Sequence, residues 1–150
     1  WTRHYNLAED RARDARRITP HTKKRKRVAC QPGTWDSEFV DDLKPVAESA
    51  TRVIEKYRWS AFHATNLDTL LHALGTRLVV VSGTTTNACI DTTVRDAYTR
   101  DYDVVIVEDC VAGVRPDWEE AALAVLGHYA AEVVSLADFK KMLPALAKEI

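Results

Sequence analysis

The chain has no apolar run approaching the roughly 20 residues that a membrane-spanning helix needs, so no such helix is expected within its 150 residues. Nor does it carry an excess of either charge. Its 21 Lys and Arg face 22 Asp and Glu, which leaves no global field to recruit nucleic acid or an anionic membrane. Cysteine is scarce: Cys30, Cys89 and Cys110 are odd in number and far apart. That speaks against a disulfide scaffold and for a reducing, cytoplasmic setting. The histidines, His4, His21, His63, His72 and His128, include no pair at i, i+4 and no cysteine at zinc-ligand spacing. No metal and no cofactor is therefore expected. What is present, 46% hydrophobic and 29% charged residues, suits a single soluble domain.

Order is clearest after residue 50. Leu78-Val79-Val80-Val81-Ser82 is a β-branched apolar run, the composition of a strand buried on both faces, with Gly83 expected to end it. From Asn87 to about Arg100, Ile90, Val94, Ala97 and Tyr98 recur at helical spacing. Asp103-Val104-Val105-Ile106-Val107 predicts a second buried strand. Asp117 is expected to cap the next helix, with Glu120 completing a capping box and Trp118, Ala122, Val125 and Leu126 forming its apolar face. Glu132-Val133-Val134-Ser135 predicts a further strand, and residues 137–147 a last helix that Pro144 should kink or cut. Earlier, residues 51–55 read as a strand, and Leu67, Leu70, Leu71 and Leu74 as one helical stripe. Strands alternating with helices imply an α/β fold with a parallel, open sheet. Residues 8–36 differ. They are dense in charge, carry the basic run Lys23-Lys24-Arg25-Lys26-Arg27, and end in Gln31-Pro32-Gly33 turn chemistry. This stretch reads as a long surface excursion, and its basic run as a solvated loop face rather than a nucleic-acid patch.

Two residues suggest chemistry. Cys89 follows a predicted buried strand within Gly83-Thr84-Thr85-Thr86-Asn87-Ala88-Cys89. With Thr86 as N-cap, Cys89 falls in the first helical turn, where backbone N–H groups and the helix dipole favour a thiolate. The same N–H groups could donate to an oxyanion. A buried, inert cysteine packing helix on sheet fits the local pattern as well. Lys56 stands just past another predicted strand, where a lysine can stabilise a thiolate and orient a polar substrate.

Lys56-Tyr57-Arg58-Trp59-Ser60-Ala61-Phe62 followed by Thr65-Asn66-Leu67-Asp68 resembles the K-x-R-x-S-A-F-x-x-T-x-L-D segment of isochorismatase-like cysteine hydrolases. The stretch from Gly83 to Ile90, with Thr93, Arg95, Asp96 and Ala97, resembles that family's G-x-x-T-N-x-C-V…T-x-R-D-A nucleophile helix. Gly33-Thr34-Trp35 is similar to a G-T-W turn of the branch containing ureidoacrylate and N-carbamoyl amidohydrolases. The resemblance implies a three-layer αβα, Rossmann-like fold, with Cys89 as nucleophile and Lys56 as its nearby basic partner. It implies a cis peptide between Thr84 and Thr85, an oxyanion hole from the N–H groups of Thr85 and Cys89, and Trp35, Phe62 and Thr84 as pocket walls. For Trp35 and Phe62 an ordinary core role is the alternative. The implied reaction is hydrolysis of a small amide or ureido compound through a thioester, by a homodimer or homotetramer.

The family's catalytic aspartate, in a D-x-Q-N-D-like segment ending its first strand, has no match here. Asp36, Asp41 and Asp42 follow the wrong kind of segment, and Thr2-Arg3-His4 lacks the Asp of the D-x-H that metal-dependent nicotinamidases carry. Trp1 to His4 reads as the end of the second strand. The expectation is a single isochorismatase-like domain, residues 1–150, whose first strand lies upstream of this sequence. The alternatives are an inactive homologue serving as a binding or assembly subunit, and a vinyl ether hydrolase of the isochorismate type.

Overall fold

The computed structural model describes residues 1–7, 9, 16, 18–23, 27–44 and 52–146. Most of residues 8–17, and residues 24–26 of the basic run, lie outside the described residues. The chain forms two compact units, Trp1–Arg58 with His63–Thr65, and Trp59–Phe62 with Asn66–Ile150.

In the first unit β1 (Thr2–His4) pairs in parallel with β2 (Ile54–Lys56), with Thr2 opposite Ile54, Arg3 opposite Glu55 and His4 opposite Lys56. Side chains alternate across a strand, so Ile54 and Lys56 turn inward and Glu55 outward. Lys56 is the last strand residue rather than the first beyond it. The ladder continues because the Tyr5 N–H donates to the Lys56 carbonyl at 2.8 Å. The Arg3 guanidinium lies 4.2 Å from the centre of the Phe39 ring and donates to the Tyr5 hydroxyl. In the Gln31-Pro32-Gly33 turn, Gly33 takes φ +77°, a conformation glycine adopts without strain. The Asp36 carboxylate accepts from the Thr34 hydroxyl at 2.6 Å and the Cys30 N–H at 3.1 Å. These donors, the hydroxyl first, hold its carboxyl below the usual carboxylate range.

The second unit holds β3 (Leu78–Thr84), β4 (Asp103–Ala112) and β5 (Glu132–Val134), all parallel, in the order β3-β4-β5. Its helices are α2 (Leu67–Ala73), α3 (Asp91–Tyr98), α4 (Pro116–Tyr129) and α5 (Leu136–Leu146); α1 (Pro20–Lys23) belongs to the first unit. β4 is the central strand, and Val104, Val105, Ile106 and Val107 are all buried. Val94 and Ala97 of α3 and Leu126 of α4 join this core. The Tyr102 hydroxyl donates to Asp68 at 3.0 Å. Burial first, and then the Asp68 carboxylate, push the Tyr102 phenol above its ordinary value.

Several elements depart from the sequence reading. β3 is not covered on both faces: Val81 is buried, whereas Val80 on the opposite face is 42% exposed. It is an edge of its sheet among the described residues. It also runs past Gly83, which takes φ +115° at a bulge where the register with β4 shifts, the geometry for which glycine is suited. α4 begins at Pro116 without a side-chain cap. Glu119 rather than Glu120 reaches back, accepting the Gly113 N–H. On the same helix Ala122 and Leu126 are buried while Trp118 and Val125 are exposed. Pro144 does not end α5, because it sits in the last turn, close to the helix end at Leu146. Among the described residues no helix is long and apolar enough to cross a membrane.

Ile106→Ala should cost about 2–5 kcal/mol, since Ile106 is fully buried in the packed core and its removal leaves a cavity, and Tyr102→Phe about 1 kcal/mol. Urea denaturation checks both; an Ile106→Ala loss no larger than that of Tyr102→Phe would refute the central role of β4. Because folding raises the Tyr102 pKa, its contribution is complete below the ordinary value of 10.0 and is lost as pH rises through the folded value.

Candidate active site

The segment that presents Cys89 starts where β3 ends. The Thr84–Thr85 peptide is cis, as the resemblance implied. Thr85 then precedes a π-helical turn, Thr86–Ile90, which runs directly into α3. The Thr85 carbonyl accepts twice, from Ala88 N–H at 3.0 Å and from Ile90 N–H at 3.2 Å. Asn87 leaves helical geometry inside the turn, with φ −84° and ψ 19°. A π-type turn of this kind is rare and concentrates at functional sites. The N-cap is therefore Thr85, not Thr86. Thr86 is instead fully buried and, with Ile90, anchors the turn in the core. Thr86 Oγ1 and Asn87 Oδ1 are buried without a hydrogen-bond partner among the described residues, an arrangement that costs about 1–3 kcal/mol for each such group. Cys89 is a free, half-buried thiol in this turn. Thr84 is exposed and Thr85 half-buried.

Lys56 belongs to the first unit. It is 4% exposed, with Nζ 3.2 Å from His4 Nδ1 and donating to the Arg58 carbonyl at 3.1 Å. A lysine this buried is uncommon unless its donors are matched. Trp35 occupies a short 3-10 turn, Trp35–Ser37, and is 91% exposed.

Phe62 is 5% exposed, stacks on Tyr102 with ring centres 5.9 Å apart, and lies beneath the Arg100 guanidinium at 4.9 Å. Beside it, the Ala61 N–H donates to Thr93 Oγ1 at 3.0 Å, and the Phe62 N–H to Ser60 Oγ at 3.1 Å. The Ser60-Ala61-Phe62 loop is thus tied to α3, the helix that continues from the Cys89 turn. The Ala61–Thr93 tie was not legible as such in the sequence, because donor and acceptor are separated by 32 residues. Only the membership of Ala61 and Thr93 in the two motifs marked them out.

The sequence pattern of the family described as isochorismatase domain matches residues 1–138. A ureidoacrylate amidohydrolase RutB from Caulobacter vibrioides is 36% identical over 116 residues, spanning 77% of this chain and 51% of the relative. One from Agrobacterium fabrum is 38% identical over 90 residues, 60% of this chain and 39% of the relative. The chain spans about half the length, or less, of these curated relatives. Among solved structures, an isochorismatase family protein from Desulfovibrio vulgaris superposes with a TM-score of 0.79 at 31% identity, covering 95% of this chain and 73% of that one. N-carbamoylsarcosine amidase from Thermoplasma acidophilum superposes at 0.65 with 30% identity, covering 89% and 68%. The fold is that of the isochorismatase-like hydrolases, mixed α/β with parallel sheets.

Thr93→Val keeps the shape of the side chain and removes the acceptor that the Ala61 N–H uses at 3.0 Å. The expected loss is about 0.5–1.5 kcal/mol, the net worth of one hydrogen bond, with Thr93→Ser retaining most of the stability. Chemical denaturation, read together with hydrogen exchange at the Ala61 amide, checks this; unchanged protection in Thr93→Val would show that the bond does not hold the loop.

Proposed function

The chain belongs to the isochorismatase family, and on that footing we propose that it carries the nucleophile and the basic partner of a cysteine hydrolase acting on a small amide or ureido compound. The observation that carries this reading is the setting of Cys89. It is a free, half-buried thiol in a π-helical turn between a parallel strand and a helix, the position open α/β sheets use for ligands. The names of the similar proteins, ureidoacrylate amidohydrolase and N-carbamoylsarcosine amidase, support a C–N bond as the target.

In this mechanism the Cys89 thiolate attacks the substrate carbonyl carbon, forming a C–S bond. The carbonyl oxygen becomes an oxyanion, for which the N–H groups of Thr85 and Cys89 are the proposed donors. Collapse of that intermediate breaks the C–N bond, and the nitrogen leaves as ammonia or an amine, taking up the proton that Cys89 gave up on forming the thiolate. Water then hydrolyses the thioester, returning the thiol and releasing a carboxylate or a carbamate. Lys56 is the proposed basic partner, whose positive charge favours thiolate over thiol. Thr84 is the proposed substrate contact at the exposed side of the turn. Phe62 acts through packing, and the exposed Trp35 is available to a substrate or to another chain.

Cys89→Ala should abolish release of ammonia or amine from a ureido substrate. Cys89→Ser should lose nearly as much, since an alcohol is far less acidic than a thiol. Lys56→Ala should slow alkylation of Cys89 by iodoacetamide without unfolding the protein. Full turnover by Cys89→Ala would show the chemistry to be wrongly assigned. A Cys89 that resists alkylation in the folded protein would point instead to a binding or assembly role.

A further inference from the structure

A buried lysine needs its ammonium held in one place if it is to serve chemistry, and the first unit contains a directional chain that does so. His4 and Lys56 are direct register partners on the parallel strands β1 and β2, so their side chains leave the sheet side by side. Lys56 Nζ lies 3.2 Å from His4 Nδ1. An ammonium can only donate, so Nδ1 must be the lone-pair nitrogen and the ring hydrogen must sit on Nε2. The far side of the ring agrees. His4 Nε2 faces Asn6 Oδ1 at 3.4 Å, a long contact but one that suits a donor. The Asn6 amide cannot flip without loss, because its Nδ2 donates to the Ala29 carbonyl at 2.8 Å. Its backbone N–H is also engaged, by the Cys30 carbonyl at 3.0 Å, and the residue is buried.

We infer that His4, locked as the Nε2–H tautomer by Asn6, is a positioning residue that holds the Lys56 ammonium in place for the hydrolysis proposed above. Each bond in the chain has one allowed direction: Lys56 Nζ to His4 Nδ1, His4 Nε2 to Asn6 Oδ1, Asn6 Nδ2 to the Ala29 carbonyl. An imidazolium at His4 would turn Nδ1 into a donor aimed at a cation, so the ring is neutral while Lys56 is charged. The Arg58 carbonyl supplies a second acceptor from the chain just beyond β2. Lys56 is thereby clamped between a side chain and a backbone group, and its long stem loses its rotamer freedom during folding rather than during catalysis.

The inference rests on the reading of Lys56 as part of the hydrolytic machinery, and the test separates the two. In the whole protein, His4→Leu should lower kcat roughly ten- to a hundredfold, as a misplaced charge does, with KM little changed. His4→Asn, whose Oδ1 stands close to the position of Nδ1, should recover most of that loss. A merely structural role would move folding stability but not produce this split and rescue. Long-range proton–nitrogen NMR of the wild-type protein should show His4 with hydrogen on Nε2 alone. It decides the matter even where His4→Leu does not fold: an Nδ1–H ring or an imidazolium overturns the inference. Loss of turnover in Lys56→Ala with full turnover in His4→Leu overturns the inference alone. Full turnover in Lys56→Ala removes the reading on which it rests.

Discussion

Burial of β4 is the constraint from which the second unit takes its shape. A strand with neighbours on both edges satisfies its backbone groups in the ladder, and four consecutive apolar side chains, Val104 to Val107, are then free to bury on both faces. Each fully buried aliphatic side chain of this kind contributes about 1.5–3 kcal/mol. The helices that cover them have little choice of position, because Val94, Ala97 and Leu126 must meet Ile106 without voids. Fixing α3 in this way fixes the turn before it. The π-type geometry around Cys89, whose Thr86 and Asn87 oxygens have no hydrogen-bond partner among the described residues, persists because Thr86 and Ile90 are packed into the same core and cannot relax outward.

The residues that mark the family divide into two kinds of work. Ser60, Ala61, Phe62, Asp68 and Thr93 are fasteners: their hydroxyls, carboxylate, backbone groups and rings hold a loop to α3, and that loop and α2 to Tyr102, the residue before β4. Cys89 and Lys56 are the residues whose chemistry exceeds what packing needs. Most of a long motif can therefore be read physically as scaffolding for the two residues proposed to react. The same logic places Asp36 among the fasteners, since its carboxylate is occupied by Thr34 and Cys30 in a tight turn.

Glu119 shows how a helix start can be secured without a conventional cap. Its carboxylate accepts the Gly113 N–H, joining the first turn of α4 to the end of β4. An added Cβ at Gly113 would stand 2.9 Å from that carboxylate and 3.5 Å from Asn87 Oδ1. Gly113 is thus the point where α4 comes close to the Cys89 turn, and only a residue without a side chain fits there without displacement.

The sequence by itself determined the alternation of strands and helices, since β-branched runs and helical spacing are local patterns that survive in any tertiary setting. It also determined the reactive candidates, because the motifs around Lys56 and Cys89 are contiguous. Tertiary structure decided what depends on partners distant along the chain. Val80 is as apolar as Val105, yet among the described residues one lies in an edge strand and the other in a central one, and strand order is not written in either run. Trp118 and Val125 share the apolar character of Ala122 and Leu126 but turn away from the core, because the face α4 buries is chosen by β4. The acceptor for Lys56 is a histidine 52 residues earlier, found only when β1 and β2 pair in one register. Composition sets which side chains can donate, accept or bury; which of them meet is set by strand register and helix packing, interactions that no local stretch of sequence contains.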